Sequence, residues 1–574
     1  MALGSLEVEL LSAILEYVDD ESPNTTKSAS LVNKHLHATA RRIRFRRQTL
    51  DLSKPGKTRA RLSVLLAEPD ALRCIRHLTI VGNAYSTPLE LFDIMANAYS
   101  TPVELPELLS TCESLARLIR DLASLRSIVW RYAGQIPLNI LDAIHQCQPR
   151  AALKVYNWCR KADEADHTDP AELALAHSSA LTCLQASIWH NGGGPSDLRE
   201  AACKRIIANA PNLQYASITT GRSGCVFTLL SAAEEAELAA REEQFYTHKQ
   251  PSTSLKTLTL DGYGLSKDII DQWGRFLNFS KLESLKCSRG FVPDKSYFEL
   301  APTLLTSLKH VSLNFSYNKD ADIAAAADNY LATCSPLETL SLWSWMNVIS
   351  LQSILKHGPT LKILQLHERE STHVDVPRAL LTSTDVADIR RACPILRDFT
   401  MDIDREALDW EQEVNNQTIY AELALFSLDK LQLYFNLGIA AQIWRATSAL
   451  NDADTSPDSE FCESDGGGSL AKGGRHHRSL SAREKALLPL RTADDTVAQA
   501  KSIWRMIFKH RRTGERALDI KIGEWERKMV LGLPADWVLW EQRNRSFLKL
   551  RPHERDDMLD EVVLTCQGGL QGRI

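Results

Sequence analysis

From Leu255 the chain reads Leu-Lys-Thr-Leu-Thr-Leu-Asp-Gly-Tyr-Gly-Leu, and its L-x-x-L-x-L spacing returns again and again. The later copies are Leu282, Leu285, Cys287; Leu308, Val311, Leu313; Leu337, Leu340, Leu342; and Leu361, Leu364, Leu366. Weaker copies follow at Leu396, Phe399, Met401 and at Leu428, Leu431, Leu433, so that successive copies start 24 to 35 residues apart. In L-x-L the side chains alternate, so both leucines face one side of a short strand. One such strand cannot bury its apolar face alone. Copies stacked at a near-constant period bury it together, as a continuous core under a parallel sheet. Helix-like segments such as 268–278 and 349–356 lie between copies, which predicts one strand and one helix per unit.

The phrase resembles the leucine-rich repeat, L-x-x-L-x-L-x-x-N-x-L, with Tyr263 where Asn or Cys is usual. The resemblance implies an α/β fold: a leucine-rich-repeat solenoid, or horseshoe, running over 51–447. The competing reading is an ordinary α/β domain whose strands carry L-x-L by chance. Repetition in one direction favours the solenoid, which tolerates uneven periods because insertions fall in loops.

At 574 residues, length alone suggests about three or four domains, but a solenoid extends one core indefinitely. Apolar residues make up 44% and charged ones 24%, the balance of a globular chain. The net charge of −5 gives no global reason to expect a nucleic-acid partner. No apolar run approaches the roughly 20 residues of a spanning helix. Residues 1–11 show no basic region and no cleavage-like site, so no secretory signal is expected. The 12 cysteines are scattered without a C-x-x-C, which argues against a zinc ribbon and a disulfide framework. Thiols such as Cys112 and Cys287 in core-like contexts predict a reducing compartment, cytoplasmic or nuclear.

Residues 1–50 carry a second signal. Leu6, Leu10, Leu11, Ile14, Leu15, Tyr17 and Val18 recur mostly at spacings of three and four, the pattern of an amphipathic helix. A polar break at 19–24 separates them from a second helix with Leu31, Val32, Leu36 and Ile43. A module this small cannot hold a large core. It resembles an F-box: Leu6, Glu9, Leu10, Leu11, Ile14 and Tyr17 match the family's opening, and Leu31-Val32-Asn33-Lys34 its later signature. Glu7 stands where the family usually has proline. F-box followed by leucine-rich repeats is a known order of modules. The resemblance implies docking on a Skp-type adaptor within a cullin–RING ubiquitin ligase, through Leu6, Glu9, Leu10, Leu11, Ile14, Tyr17, Leu31 and Val32.

Arg41 to Arg47 hold five arginines, read either as a nucleic-acid or nuclear-localisation patch or as a solvated helix end with Ile43 and Phe45 tucked beneath. The rest of the sequence offers no second basic patch with interleaved aromatics, which favours the helix end and leaves nucleic acid an unexpected partner. Degenerate phrases follow at Ile75, Leu78, Ile80; Leu125, Ile128, Trp130; Leu181, Leu184, Ile188; and Leu213, Ile218. A tandem copy, Asn83-Ala-Tyr-Ser-Thr-Pro and Asn97-Ala-Tyr-Ser-Thr-Pro, is offset by 14 residues, too short for a solenoid unit. Residues 107–122 read as a helix with Leu108, Leu109, Cys112, Leu115, Leu118, Ile119 and Leu122 on one face. Residues 232–243 read as an Ala/Glu-rich helix. Residues 448–488 read as a disordered linker in which His476-His477 lack a ligand cluster. Residues 489–574 read as a last repeat and a cap, with Leu518, Ile520 and Ile522 alternating as a strand. The tail around 537–544 is similar to those of F-box-like proteins from filamentous fungi.

No nucleophile elbow, zincin or Walker motif occurs, so no enzyme activity, cofactor or metal is expected. Asp402 and Asp404 read as a solvated strand edge. Cys334 and Cys393 sit at helix-to-strand turns with no base in sight. The expected role is that of a substrate-recognition subunit, with an unknown target protein held on the outward, concave positions of the phrases. Asp261, Asn314, Trp343, His367 and Tyr434 are the candidate contacts, and Trp343 and Tyr434 the aromatic anchors. The alternative is a repeat scaffold outside any ligase.

Overall fold

The computed structural model describes residues 8–21, 23–82, 105–159, 169–191, 197–223, 254–261, 266–286, 293–315, 320–368, 380–403 and 414–435; beyond these it describes Ile503, Ile507, 517–522, 546–550, 563–566 and 571–573. The tandem copy at 83–104, the helix expected at 232–243, Cys287 and the linker 448–488 lie outside the described residues. The chain is a mixed α/β protein that divides into two compact units. One comprises Met1–Arg289 with Leu304–Leu308, the other Gly290–Thr303 with Lys309–Ile574. The division falls inside the stretch 51–447 that the sequence reads as one solenoid.

The first unit opens with three helices, α1 (Val8–Glu21), α2 (Pro23–Ala29) and α3 (Lys34–Arg46). Leu11 and Leu15 of α1 pack with Leu36, Ala40 and Ile43 of α3 into a small core of their own. The chain then builds a sheet strand by strand: β1 (Arg47–Asp51), β2 (His77–Val81), β3 (Ser127–Trp130), β4 (Ala152–Trp158), β5 (Leu181–Asn191), β6 (Tyr215–Ser223), β7 (Thr257–Asp261) and β8 (Ser284–Lys286). Each pairs in parallel with the next in sequence. Parallel neighbours need a crossover, and the described helices lie in such crossovers. These are α4 (Pro55–Leu66), α5 (Pro69–Cys74), α6 (Leu105–Asp121), α7 (Leu138–Cys147), α8 (Pro170–Ala176), α9 (Asp197–Asn209) and α10 (Lys267–Gly274). Pro55, Pro69 and Pro170 open their helices, where a missing N–H costs nothing and φ is already helical. On α6, Leu115, Leu118 and Ile119 are buried as expected, as is Leu122 just after it. Leu109 is 56% exposed, because it falls outside the stripe those residues define.

Two strands escape the phrase. β1 falls almost wholly within the stretch 1–50 that reads as the helical module, and β4 carries only Leu153 and Val155 before Trp158. All of Leu50, Leu153, Val155 and Trp158 are nevertheless buried. Behind the sheet, Glu172 of α8 and Arg205 of α9 form a buried ion pair at 3.1 Å. Lys204 meets Glu200 at 2.8 Å and lies over the Trp273 ring of α10. Charges so deep are tolerated only when paired.

The second unit repeats the plan with β9 (His310–Asn314), β10 (Thr339–Trp343), β11 (Ile363–His367), β12 (Asp398–Ile403), β13 (Lys430–Phe435) and β14 (Ala517–Ile522), again parallel and in sequence order. Its helices are α11 (Lys295–Leu304), α12 (Ala321–Thr333), α13 (Leu351–Leu355), α14 (Ser383–Ala392) and α15 (Val414–Ala424). The phrase leucines form the core: Val311, Leu313, Leu340, Leu342, Leu364, Leu366, Phe399, Met401, Leu431 and Leu433 are all at most 3% exposed. A capping box between Thr382 and Asp385 starts α14 and satisfies orphan amides at its first turn. After β14 the direction changes: β15 (Ser546–Leu550), β16 (Val563–Cys566) and β17 (Gln571–Arg573) add as antiparallel strands. In-order parallel stacking of strand and helix is consistent with a solenoid.

Candidate functional site

Two places concentrate side chains beyond what folding requires. The first is the helical module. Within α1, Leu10, Ile14 and Tyr17 recur at i, i+4 and i+7 and define one stripe. Leu10 is 52% and Tyr17 70% exposed, and Ile14 is half-buried. One residue on, Leu11 turns by 100° into the module's core and is fully buried, so it is corrected from a surface contact to a core residue. Leu6 lies outside the described residues, and Glu9 is exposed. Leu31 and Val32, expected on the second helix, sit instead in the turn between α2 and α3. Their amides bond back to Ser28 and Ala29, and Asn33 caps α3 by accepting from Leu36 N at 2.8 Å. The turn is therefore fixed while its two apolar side chains, 84% and 69% exposed, stand in water. Four of the nine large hydrophobic residues exposed in the described chain belong to this module.

The arginine run behaves as a helix end. Arg41 pairs with Glu68 at 2.8 Å and Arg46 with Glu16, while Ile43 is buried and Phe45 half-buried beneath Arg41. The sheet adds what the sequence hides: Arg76 N bonds Arg46 O, and Arg126 N bonds Arg76 O, so the three arginines that immediately precede β1, β2 and β3 adjoin. Burial lowers the pKa of His77 beside them, and Arg46, Arg47, Arg126 and Arg76 lower it further.

The second place is the outward row of the second unit. The register sets Asn314, Trp343 and His367 side by side, and Asp402 beside Tyr434 on the next strands. Nδ1 of His367 meets Oδ1 of Asp402 at 2.7 Å, and the other carboxylate oxygen accepts the Glu368 amide. Tyr434 reaches across and stacks on the His367 ring at 4.0 Å, while Trp343 meets the same ring edge-on at 4.7 Å. After Trp343, Ser344 takes a left-handed φ of 53°, and Met346 N bonds Glu368 Oε1 at 2.7 Å.

This corrects three expectations of an open contact face. Asn314, His367 and Tyr434 are only 4%, 5% and 3% exposed, because side chains on parallel strands about 4.8 Å apart pack along their row. Trp343 alone of the four is half-buried and reachable. The side chain of Asp261 is not among those described. Asp402, expected on a solvated edge, is 7% exposed and held by His367.

Cys334 does have a histidine nearby, His357 Nε2 at 3.8 Å. That nitrogen bonds Leu331 O at 2.9 Å, and burial pushes the Cys334 thiol up to about 11, so the pair is no nucleophile and base. Among the described residues no cluster of three or more His, Cys, Asp or Glu could hold a metal, and no helix is long and apolar enough to cross a membrane.

The fold and its two sites define a mixed α/β protein of stacked strand–helix units with an exposed apolar helical face. No family model matches the chain, and no curated protein matches its sequence. Among solved structures it is similar to the yeast Rad7 and Elc1 complex, at 13% identity and a TM-score of 0.32, over 77% of this chain and 90% of that one. A TM-score this low places the chain in no family.

Proposed function

We propose that this chain is the substrate-recognition subunit of a Skp–cullin–F-box E3 ubiquitin ligase, cytoplasmic or nuclear. The α1–α3 module docks a Skp-type adaptor, and the stacked repeats hold a target protein. The observation that carries this reading is the division of labour within the module. Leu11, Leu15, Leu36, Ala40 and Ile43 suffice for its core, while Leu10, Tyr17, Leu31 and Val32 remain in water. Burying such side chains is worth about 1.5–3 kcal/mol each, enough for a specific interface and a standing liability without one. The subunit itself performs no chemistry. It raises the effective concentration of target lysines near the ubiquitin-charged enzyme.

The test is capture of the full chain on purified Skp-type adaptor. Leu10→Ala/Tyr17→Ala and Leu31→Ser/Val32→Ser are expected to lower retention by at least about tenfold, as loss of interface anchors does, with the thermal melt unchanged. Equal retention by both variants, or no retention of a folded intact chain, sinks the proposal. The second outcome leaves a repeat scaffold outside any ligase.

A further inference from the structure

The outward face of the first unit carries two cations that no described carboxylate answers. Arg131 follows β3 one residue past the Trp130–Val155 pair, which sets it beside Tyr156 of β4. Its guanidinium carbon lies over the Tyr156 ring, 5.2 Å from the centroid. Lys154 stands on the same face of β4, two residues before Tyr156, so the Cα atoms of Arg131 and Lys154 are about 8 Å apart at the usual strand spacing and rise. Both residues are exposed. Among the described residues neither side chain has an ion-pair or hydrogen-bond partner, and stacking on a ring leaves the guanidinium its planar fork of N–H donors. The backbone beneath is fixed: Arg131 N bonds Ile80 O at 2.8 Å and Gly134 N bonds Asn157 O at 3.3 Å. The Tyr156 hydroxyl meets the buried Cys183 thiol of β5. Cations held on a rigid sheet cost a partner little ordering.

The neighbouring strands select the partner's charge. β2 to β6 contain no Asp or Glu. Asp51, at the end of β1, lies two strands from Arg131, about 10 Å away, and accepts from Ser53 N and Oγ. Asp169, beyond the strand ends, caps α8 and accepts from Gln135. Lower on the sheet, burial and then Arg46, Arg47, Arg126 and Arg76 hold His77 below its ordinary pKa, so the field there is positive. Arg46 is answered by Glu16 and Arg76 by Ser124 O, which leaves Arg131 and Lys154 as the contacts. An extended peptide sets its i and i+2 side chains on one face, about 6.6 Å apart, so an acidic-x-acidic triplet spans the two cations. One carboxylate takes the guanidinium fork and the other the ammonium. We propose that Arg131 and Lys154 form a docking site for an acidic, extended segment of the target protein. This deepens the reading of the repeats as the target-binding part and rests on it.

The experiment titrates the full chain with a capped peptide of alternating Glu and Ser at low salt, followed by saturation transfer from protein to peptide. Counterparts with Gln or Lys in place of Glu are the controls. The Glu peptide is expected to bind with a Kd of millimolar order, at least about tenfold tighter than the Gln peptide, and to weaken as salt rises. Arg131→Gln and Lys154→Gln are each expected to weaken binding about threefold to fivefold, and together to abolish it, with the thermal melt unchanged because both side chains stand in water. Arg131→Lys keeps the charge without the fork and is expected to fall between. Equal binding of the Glu and Gln peptides, a preference for Lys, affinity untouched by both substitutions, or no saturable binding overturns the proposal. So does tighter binding of an oligothymidylate that is lost in the same variants. The sequence between β4 and α8 holds Asp163, Glu164 and Asp166. Peptide binding that appears only in Asp163→Asn/Glu164→Gln/Asp166→Asn would give the site to the chain's own acids and also overturn it. Adaptor capture reads only the α1–α3 module, so failure there and failure here are separate results.

Discussion

His357 shows how one buried polar residue beside a thiol serves structure rather than chemistry. It is 1% exposed; Nε2–H donates to Leu331 O, and Nδ1 accepts from Leu337 N at 3.4 Å, so the neutral imidazole ties the end of α12 to the approach to β10. Protonation would put a hydrogen on the accepting nitrogen. Burial, the largest cause, lowers the pKa of His357, as it does for His77 and His145. A lowered histidine pKa means that the unfolded chain binds more protons below its own value of about 6.5. The stabilising contribution is therefore complete above that pH and is lost as pH falls through the folded value. Urea unfolding at pH 7.5 and 5.5 is expected to show lower stability in acid, with a smaller difference in His357→Gln. His357→Ala at neutral pH is expected to cost about 2–4 kcal/mol, from a cavity plus two lost bonds. A pH dependence unchanged in His357→Gln would remove the assignment. None of this was legible in the sequence, because Cys334 and His357 come together only through the fold. The same holds for His367 and Asp402, 35 residues apart in the chain.

At the scale of elements, legibility followed the strength of the pattern. The strands from β7 to β13 carry the phrase leucines, and the sequence marks them. β1 and β4 do not follow the phrase, since Arg47-Gln-Thr-Leu-Asp51 buries little more than Gln48 and Leu50. Binary pattern also fixes which face of a strand is apolar, yet it does not say that the other face is open. That face closed where Trp343, His367 and Tyr434 were bulky enough to cover Asp402. Packing between elements leaves a different trace, at glycine. A Cβ on Gly358, after α13, would overlap the Ala392 carbonyl at the end of α14. The glycine allows that backbone approach, so Gly358→Ala must displace a helix end rather than a flexible side chain. It is expected to cost about 1–3 kcal/mol in denaturant unfolding, the range for overpacking. A value near zero would mean that the two helix ends separate freely.

For the whole molecule, the in-order pairing sets how damage spreads. Among the described residues of the second unit, the strands from β9 to β14 pair with their neighbours in sequence, so each layer is held by the layers on either side. A conventional single core would couple every strand to every other. Leu518 of β14 is fully buried, opposite Leu431 of β13 and Leu550 of β15. Leu518→Asp places a charge in that layer, which the local structure relieves by opening. Because coupling decays from layer to layer, hydrogen exchange is expected to rise most in β13, β14 and β15, less in β12, and little in β9 and β10. Uniform loss of protection from β9 to β15 would show one cooperative core and overturn the layered account. A graded loss would mean that the Trp343–His367 contact on β10 and β11 survives damage three to four strands away.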